Sequence, residues 1–599
     1  NTAGIYALSA GGQGPGYSHD STHNFDSGGN GNSVTVTNDG AITGTQAGNV
    51  GIYALSVGGS AGATDSQYSL DGGDAGTVNV TLNGSIGVAG KDSIGIFAAS
   101  AGGLSWYDEG GHQNGNGNSV WVTLNANATI TTNGELGVGV IAASTGGNSN
   151  TTEAPPDSLE NGGSPNAVPT TRAPAGNAGD VQVSNAGSIA TQGDVAIGIA
   201  AVSSTGGTAV SRLASGGTIE QVGSGSGSPG TVQVGSTGSI STTGAGAAGI
   251  LALSLGGAGG VLDTQGYQLG VLGGSDGVSN GIGGNSVTVT ASNRIATTGD
   301  AAIGILAESI GGGGGTATGQ GGVIAVGGSG GGGGSGGTVS VTTQDESFTT
   351  SGAGAVAILA QSIGGGGGNG GNATGIVAAV GGSGGGGGAG GMVTVTTGND
   401  GTVGQIGTTG DFALGVLAQS VGGSGGHGGY STSAGAAVSA AIGGAGAGGG
   451  AGGGVTFTNR ATVISTEGAA ASAVLAQSVG GGGGNGGAAN SYSAGIWTAA
   501  VAVGGSGGSG GDGGTVQTTN DYHLFTQGSD AFGLHAQSIG GGGGNGGSAL
   551  AKAFSVPSGD PDVPEINVTA AIGGKGGGGG QGGAVTVANS GMVTTSGDG

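Results

Sequence analysis

His19, Asp20, His23 and Asp26 stand at spacings that let imidazole and carboxylate groups converge on a divalent metal. They fall in a polar insert, where a chance cluster in a loop is the plainer reading. Residues 507–512 read Gly-Gly-Ser-Gly-Gly-Asp, the opening of a calcium-binding glycine-roll repeat. The eighth position of that repeat should be aliphatic and is Gly514, and no Asp array follows, so a calcium roll is set aside. Gly-Gly-Ser-Gly-Gly at 327–331 matches a nucleophile elbow in form only, because low complexity generates such matches and no triad partners can be assigned. A phosphate cradle would need Lys-Ser/Thr after its glycines and then a helix, and neither is present. The chain is therefore expected to be no enzyme and to hold no cofactor or resident metal. Tyr17, Trp106, Tyr107, Tyr267, Tyr430, Tyr492 and Trp497 fall mostly in inserts. Aromatics on the loops of a rigid scaffold suit contacts with glycans or proteins, and equally suit plugging a layer. Trp106 and Tyr107 are the speculative surface contacts.

The elements that would position such groups come from a phrase repeated eleven times: an aliphatic residue, a spacer, Ala, a spacer, Ser, a spacer, then small residues centred on Gly-Gly. Its Ser falls at 9, 56, 100, 144, 203, 254, 309, 362, 420, 478 and 538, about 44 to 60 residues apart. A fixed phrase at a roughly fixed period means stacked supersecondary units that share one continuous core. The phrase predicts three stacked columns. Ala307, Ala360, Ala418, Ala476 and Ala536 imply a narrow interior. Ser309, Ser362, Ser420, Ser478 and Ser538 read as turn caps. Before that Ser the residue changes from Leu in early repeats to Glu308 and then Gln361, Gln419, Gln477 and Gln537, which suit an amide ladder more simply than a polar binding groove.

One repeat, 337–391, holds three short strands: Val339-Ser-Val-Thr, a slot filled by Phe348 or elsewhere by Ile, and the phrase strand 357–363. Apolar residues alternate with period two, and Gly-Gly breaks every candidate helix. The predicted fold is all-β, a right-handed parallel β-solenoid of about eleven coils. Glycine runs such as 364–371 then lead to a second apolar strand, read as a flap that leaves the coil, stacks on its neighbours and shields the outer face of the phrase strand. Glycine itself reads as punctuation between strands. Two full coils per repeat is the rival reading. Residues 1–300 are expected to be solenoid repeats with irregular polar inserts, and 301–599 solenoid repeats with regular glycine-rich flaps. Both form one continuous solenoid, expected to be an interior fragment of a longer chain.

Composition narrows the partners. Glycine is 164 of 599 residues, yet 34% of residues are hydrophobic and regularly clustered, which excludes both collagen and a disordered chain. Lys and Arg total 7 against 32 acidic residues, for a net charge of −25. The seven cations are scattered singly, so nucleic acid and anionic membrane are excluded as partners. No apolar stretch approaches the ~18 residues of a membrane helix.

Residues 336–342 (Gly-Gly-Thr-Val-Ser-Val-Thr), the Thr-Ser-Gly turn at 350–352 and Ala-Gln-Ser-Ile-Gly-Gly-Gly-Gly-Gly-Asn-Gly-Gly at 360–371 together resemble the glycine-rich passenger regions of large proteobacterial autotransporters. The resemblance covers nearly the whole chain and is strongest from about 300 to 599. It implies a β-helical passenger displayed on the outer surface of a Gram-negative bacterium as an adhesin or fibre, and it transfers no catalytic residue. The expected function is thus an extracellular structural or adhesive stalk. Its partners would be further repeats of the same or like chains and a host or abiotic surface, glycan or protein. The alternative is a flat Thr, Asn and Ser face that binds an ordered polymer such as polysaccharide, or ice. Thr35/Thr37, Thr288/Thr290 and Thr394/Thr396 favour it, while Gln233, Ser340 and Gln517 interrupt it.

Overall fold

The computed structural model describes residues 3–13, 27–61, 71–105, 114–147, 175–205, 227–257, 273–274, 280–344, 347–399, 403–556 and 565–597. Three sheets of eleven strands run through them, and every neighbouring pair is parallel. Sheet 1 holds the phrase strands, from Ala3–Ala10 to Leu534–Ile539. Sheet 2 runs from Val34–Asn38 to Val585–Asn589, and sheet 3 from Ala41–Gly44 to Val593–Thr595. Each repeat gives one strand to each sheet, so it is one coil and the two-coil reading fails. Ten steps of ~4.8 Å make the stack roughly 48 Å long.

The register keeps like on like. Ala307 pairs with Ala360 and Ser309 with Ser362, and the same columns continue through Ala418, Ala476 and Ala536. Sheet 2 turns Val339 and Val341 inward, sheet 3 turns in Phe348, and sheet 1 turns in Ile358 and Ala360, all buried in one core. Phe348 lies between Ile295 and Ile406, as its slot in the repeat predicts. Phe457 occupies a Val position, and the registered residue of the next coil is the smaller Thr518. Between sheets 3 and 1 eight of the coils turn through Gly at positive φ, with Gly244, Gly299 and Gly352 at 131°, 129° and 130°. Two residues later the chain enters the left-handed region, mostly at non-glycine residues, including Val195 (57°) and Phe412 (59°). Both are costly there, by about 1–2 kcal/mol for the Cβ contact.

The glycine runs are not punctuation but a layer with its own order. In the outgoing run, the amides of Gly364, Gly367 and Gly370 donate to the carbonyls of Val421, Ser424 and His427 in the next coil. Those of Gly365, Gly368 and Gly371 donate to Gly334, Gly331 and Gly328 in the preceding return run. The return run repeats this: Gly381, Gly384 and Gly387 donate to Ile442, Ala445 and Gly448, while Gly382, Gly385 and Gly388 donate back to Gly371, Gly368 and Gly365. These lateral bonds recur every three residues, the period of a polyproline-II helix, which has no internal bonds of its own. The sequence is therefore Gly-Gly-X. A Cβ on Gly367 would meet the Gly385 oxygen at 1.9 Å, and one on Gly368 the Gly315 oxygen at 1.8 Å. On Gly366, the X position, the nearest atom is Ser424 Oγ at 3.4 Å. From the seventh coil on, each coil thus carries a two-layered glycine fin, and nine outgoing residues at ~3.1 Å each reach roughly 28 Å.

The fin ends in the flap. From the ninth coil on, the flap is an arch of two legs: Ser431–Gly435 with Val438–Ile442, then Ala489–Gly495 with Trp497–Val503, then Ala549–Ser555 with Ile566–Ile572. Like legs pair in parallel from coil to coil. Ser433, Ser439, Ser491, Ala441 and Ala502 fill the space between legs. In the later coils the structure does not show the shielding role expected of the flap. Flap strands pack chiefly on one another, and Leu359, Gln361 and Ile363 on sheet 1 stay only half-buried beneath no flap. The glycine runs carry the flap away from the coil instead of folding it back.

Candidate functional surfaces

The phrase Ser column is a relay of backbone repair. Ser362 Oγ donates to the Gly337 carbonyl at 2.8 Å and accepts the Gly391 amide at 2.8 Å. Ser420 does the same with Gly391 and Gly453, Ser478 with Gly453 and Gly514, and Ser538 with Gly514 and Gly583. The groups served are those left over where the return run enters sheet 2. Each hydroxyl both donates and accepts a backbone hydrogen bond, so the column is a structural zipper along the axis. Ser309 closes the same relay between Asn285 and Gly337.

On the outer face of sheet 1, Gln361 donates to Gln419, Gln419 Nε2 to Gln477 Oε1 at 2.6 Å, and Gln477 Nε2 to Gln537 Oε1 at 2.9 Å. Glu308 precedes the ladder in the same column, registered between Leu253 and Gln361. Leu251, Leu253 and Leu255 belong to a buried apolar cluster formed by the outer face of sheet 1 in the earlier coils. Burial where that apolar stretch meets the amides pushes the Glu308 carboxyl up to about 6, because low polarity penalises the carboxylate.

Sheets 2 and 3 present their polar residues outward. In sheet 2 one outward column reads Thr290, Thr342, Thr396, Thr458 and Thr519 in unbroken register. Its neighbour column reads Thr288, Ser340, Thr394, Thr456 and Gln517. The interruptions at Gln233, Ser340 and Gln517 all lie in this second column, a distinction invisible until the register is known. On sheet 3, Gly407 interrupts the outward column between Thr349 and Ser465. The missing side chain leaves a notch of ≈ 260 Å³, rimmed by hydroxyls, Gln405 and Glu467.

The other sequence candidates resolve by the Gly-Gly-X rule. Ser329 is an X residue of a return run, and its hydroxyl meets Ser383 of the next coil at 3.0 Å. Asp512 is an X residue too, and its Oδ1 accepts the Gln581 amide at 2.7 Å. Asn369, His427 and Asn485 likewise accept the otherwise spare X amide of the following coil through a side-chain atom, at 2.8–2.9 Å. The elbow-like and roll-like motifs are thus fragments of one three-residue period. Trp106, Tyr107 and the cluster His19, Asp20, His23 and Asp26 lie outside the described residues. Among the described residues, no group of three or more His, Cys, Asp or Glu could hold a metal. Residue-by-residue reading missed the Gly-Gly-X layer. The signal that would have found it is the confinement of non-glycine residues to every third position: Asn369 and Asn372 in 364–372, and Ser383, Ala389 and Met392 in 381–392.

No family model, curated protein or solved structure matches the chain.

Proposed function

We propose that the chain is a structural and adhesive stalk displayed outside the cell, the passenger-like part of an outer-membrane-anchored surface protein of a Gram-negative bacterium. The observation that carries this reading is the uninterrupted register of three parallel sheets through eleven coils, joined by a glycine fin whose amides bond from coil to coil. Such a body transmits force along its axis through many parallel hydrogen bonds, and its length grows by adding repeats without changing the core. Further repeats of the same or like chains are the natural axial partners. The reading assigns the chain no catalysis and no cofactor. Electron microscopy of native material tests it. Thin unbranched fibres containing these coils support the stalk, and discrete particles with closed ends refute it.

The unbroken Thr290–Thr519 column supports a second reading, a flat face for an ordered polysaccharide or ice. Threonines ~4.8 Å apart along the axis form a regular array of hydroxyl and methyl groups. Thr396→Lys together with Thr458→Lys should abolish binding to a crystalline polysaccharide or to ice if that surface is used, and leave binding unchanged if it is not.

A further inference from the structure

The two sides of the flap arches differ in kind. On the first two outgoing legs the outward residues include Thr432, Asn490 and Tyr492, and on the third Lys552 stands between the apolar Leu550 and Phe554, 39% and 52% exposed. On the return legs they are apolar throughout. Val438, Ile442 and Val501 are 56%, 45% and 38% exposed, and Trp497 is 63% exposed. The return-leg register places Val380, Ile442, Val503 and Ile572 in one column, with Ala440 beside Val501 in the next. No charged or polar side chain interrupts these columns, although the chain carries 32 acidic residues.

We propose that this apolar return face is the seat of a second copy of the chain, packed face to face so that two solenoids lie side by side. Three observations select that occupant. Five strands ~4.8 Å apart, each about five residues long at ~3.3 Å, give a flat patch of roughly 400 Å² in plan. That equals the largest apolar patch of a typical monomer, and such patches are commonly functional. Doubled by a two-fold axis it is about 800 Å², the size of a weak, reversible contact and not of an obligate one. Second, two copies present the same strand spacing and the same small and β-branched relief, which suits aligned packing of one sheet on another. Third, a chain of net charge −25 can approach its own copy only where carboxylates are absent, and this face meets that condition. A lipid surface is the weaker fit. The X residues of the return runs next to the patch are Ser383, Ala445, Ser506 and Lys575, which supply one cation against the negative charge of a bilayer. The pairing is lateral, so it stands or falls independently of axial stacking in the stalk.

The test is sedimentation of the whole chain as a function of concentration. The native chain should show a reversible dimer, and Ile442→Asp with Val501→Asp should weaken self-association about tenfold or more. Thr432→Asp, on the polar side of the same arches, should leave it unchanged. Because the chain has no cysteine, Val501→Cys gives a second readout that does not depend on tolerating a buried charge. Mild oxidation should link Val501→Cys chains into dimers and leave Thr432→Cys chains monomeric. A native chain that stays monomeric at every concentration overturns the proposal. So does a double variant that dimerises like the native chain, or a monomer that floats with neutral lipid vesicles.

Discussion

Replacing single glycines of one outgoing run by alanine separates an ordered layer from a flexible spacer. Gly366, Gly367 and Gly368 are adjacent and chemically identical, yet the fin gives them opposite roles. At Gly368 a new Cβ would lie 1.8 Å from the Gly315 oxygen and 2.5 Å from its carbon. Relief to van der Waals distance requires a shift of more than about 1 Å, which stretches the bond from the Gly368 amide to Gly331 and the bond it accepts from Gly385, both 2.8 Å. Two such bonds at ~1–1.5 kcal/mol each, with some overpacking strain, put the local cost near 3 kcal/mol. Gly366→Ala meets only Ser424, its Oγ at 3.4 Å and its carbonyl oxygen at 3.8 Å. It should stabilise by about 0.4–1 kcal/mol, because alanine reduces the freedom of the unfolded chain. A solenoid need not melt in one step, so amide hydrogen exchange is the assay rather than a global midpoint. Gly368→Ala should speed exchange of the amides of Gly368 and Gly385 roughly a hundredfold, from ~3 kcal/mol at a factor of ten per 1.4 kcal/mol, whereas Gly366→Ala should slow or preserve it. Equal effects of the two variants would refute the three-residue layer, and with it the account of why this chain is so rich in glycine.

Three further outcomes are expected. Ser420→Ala removes one hydroxyl that serves two backbone groups and should cost about 2–4 kcal/mol, read as faster exchange at Gly453 and a lowered thermal midpoint. The Glu308 carboxyl titrates near 6 in the folded chain against an ordinary value of 4.5, so its neutral form is the one the fold accepts. The contribution is complete below about pH 4.5 and is lost as pH rises through 6, and Glu308→Gln should therefore stabilise by about 2 kcal/mol at pH 8 and by almost nothing at pH 4. A flat difference between native and Glu308→Gln stability across that range would contradict it. Thr350 Oγ1 is buried without a hydrogen-bond partner, while Thr408 Oγ1 donates to the Ala413 carbonyl at 3.1 Å. Thr350→Val should then be neutral or stabilising by about 1 kcal/mol and Thr408→Val destabilising by a similar amount, measured by chemical denaturation of otherwise identical chains.

The sequence alone determined the coil. Period-two alternation in segments such as Val339-Ser-Val-Thr, and an invariant Ala and Ser in every phrase, are local signals. In a parallel stack each strand pairs with its own counterpart one repeat later, so a local signal is also the tertiary register. That is why the Ala, Ser and Gln columns are legible in the sequence, whereas the choice between one and two coils per repeat was settled by the three eleven-stranded sheets.

Tertiary structure alone decided what lies between the coils. Gly364–Gly371 has one side chain, that of Asn369, and too little pattern to show a face, so composition cannot distinguish a flexible spacer from a helix held by its neighbours. The lateral bonds to Gly331 and Ser424 make that distinction, and they exist only once coils stand beside one another. The same holds for Glu308, whose carboxyl is perturbed by a column running through Leu253 and Gln361, residues more than fifty positions away on either side. It holds for the flap as well. Val438, Val501 and Val568 are ordinary strand residues in sequence, and only the direction in which the glycine fin carries them leaves their faces in water. Side-chain pattern encodes strands and their register, whereas the placement of a backbone without side chains is set by hydrogen bonds that only the assembled stack supplies.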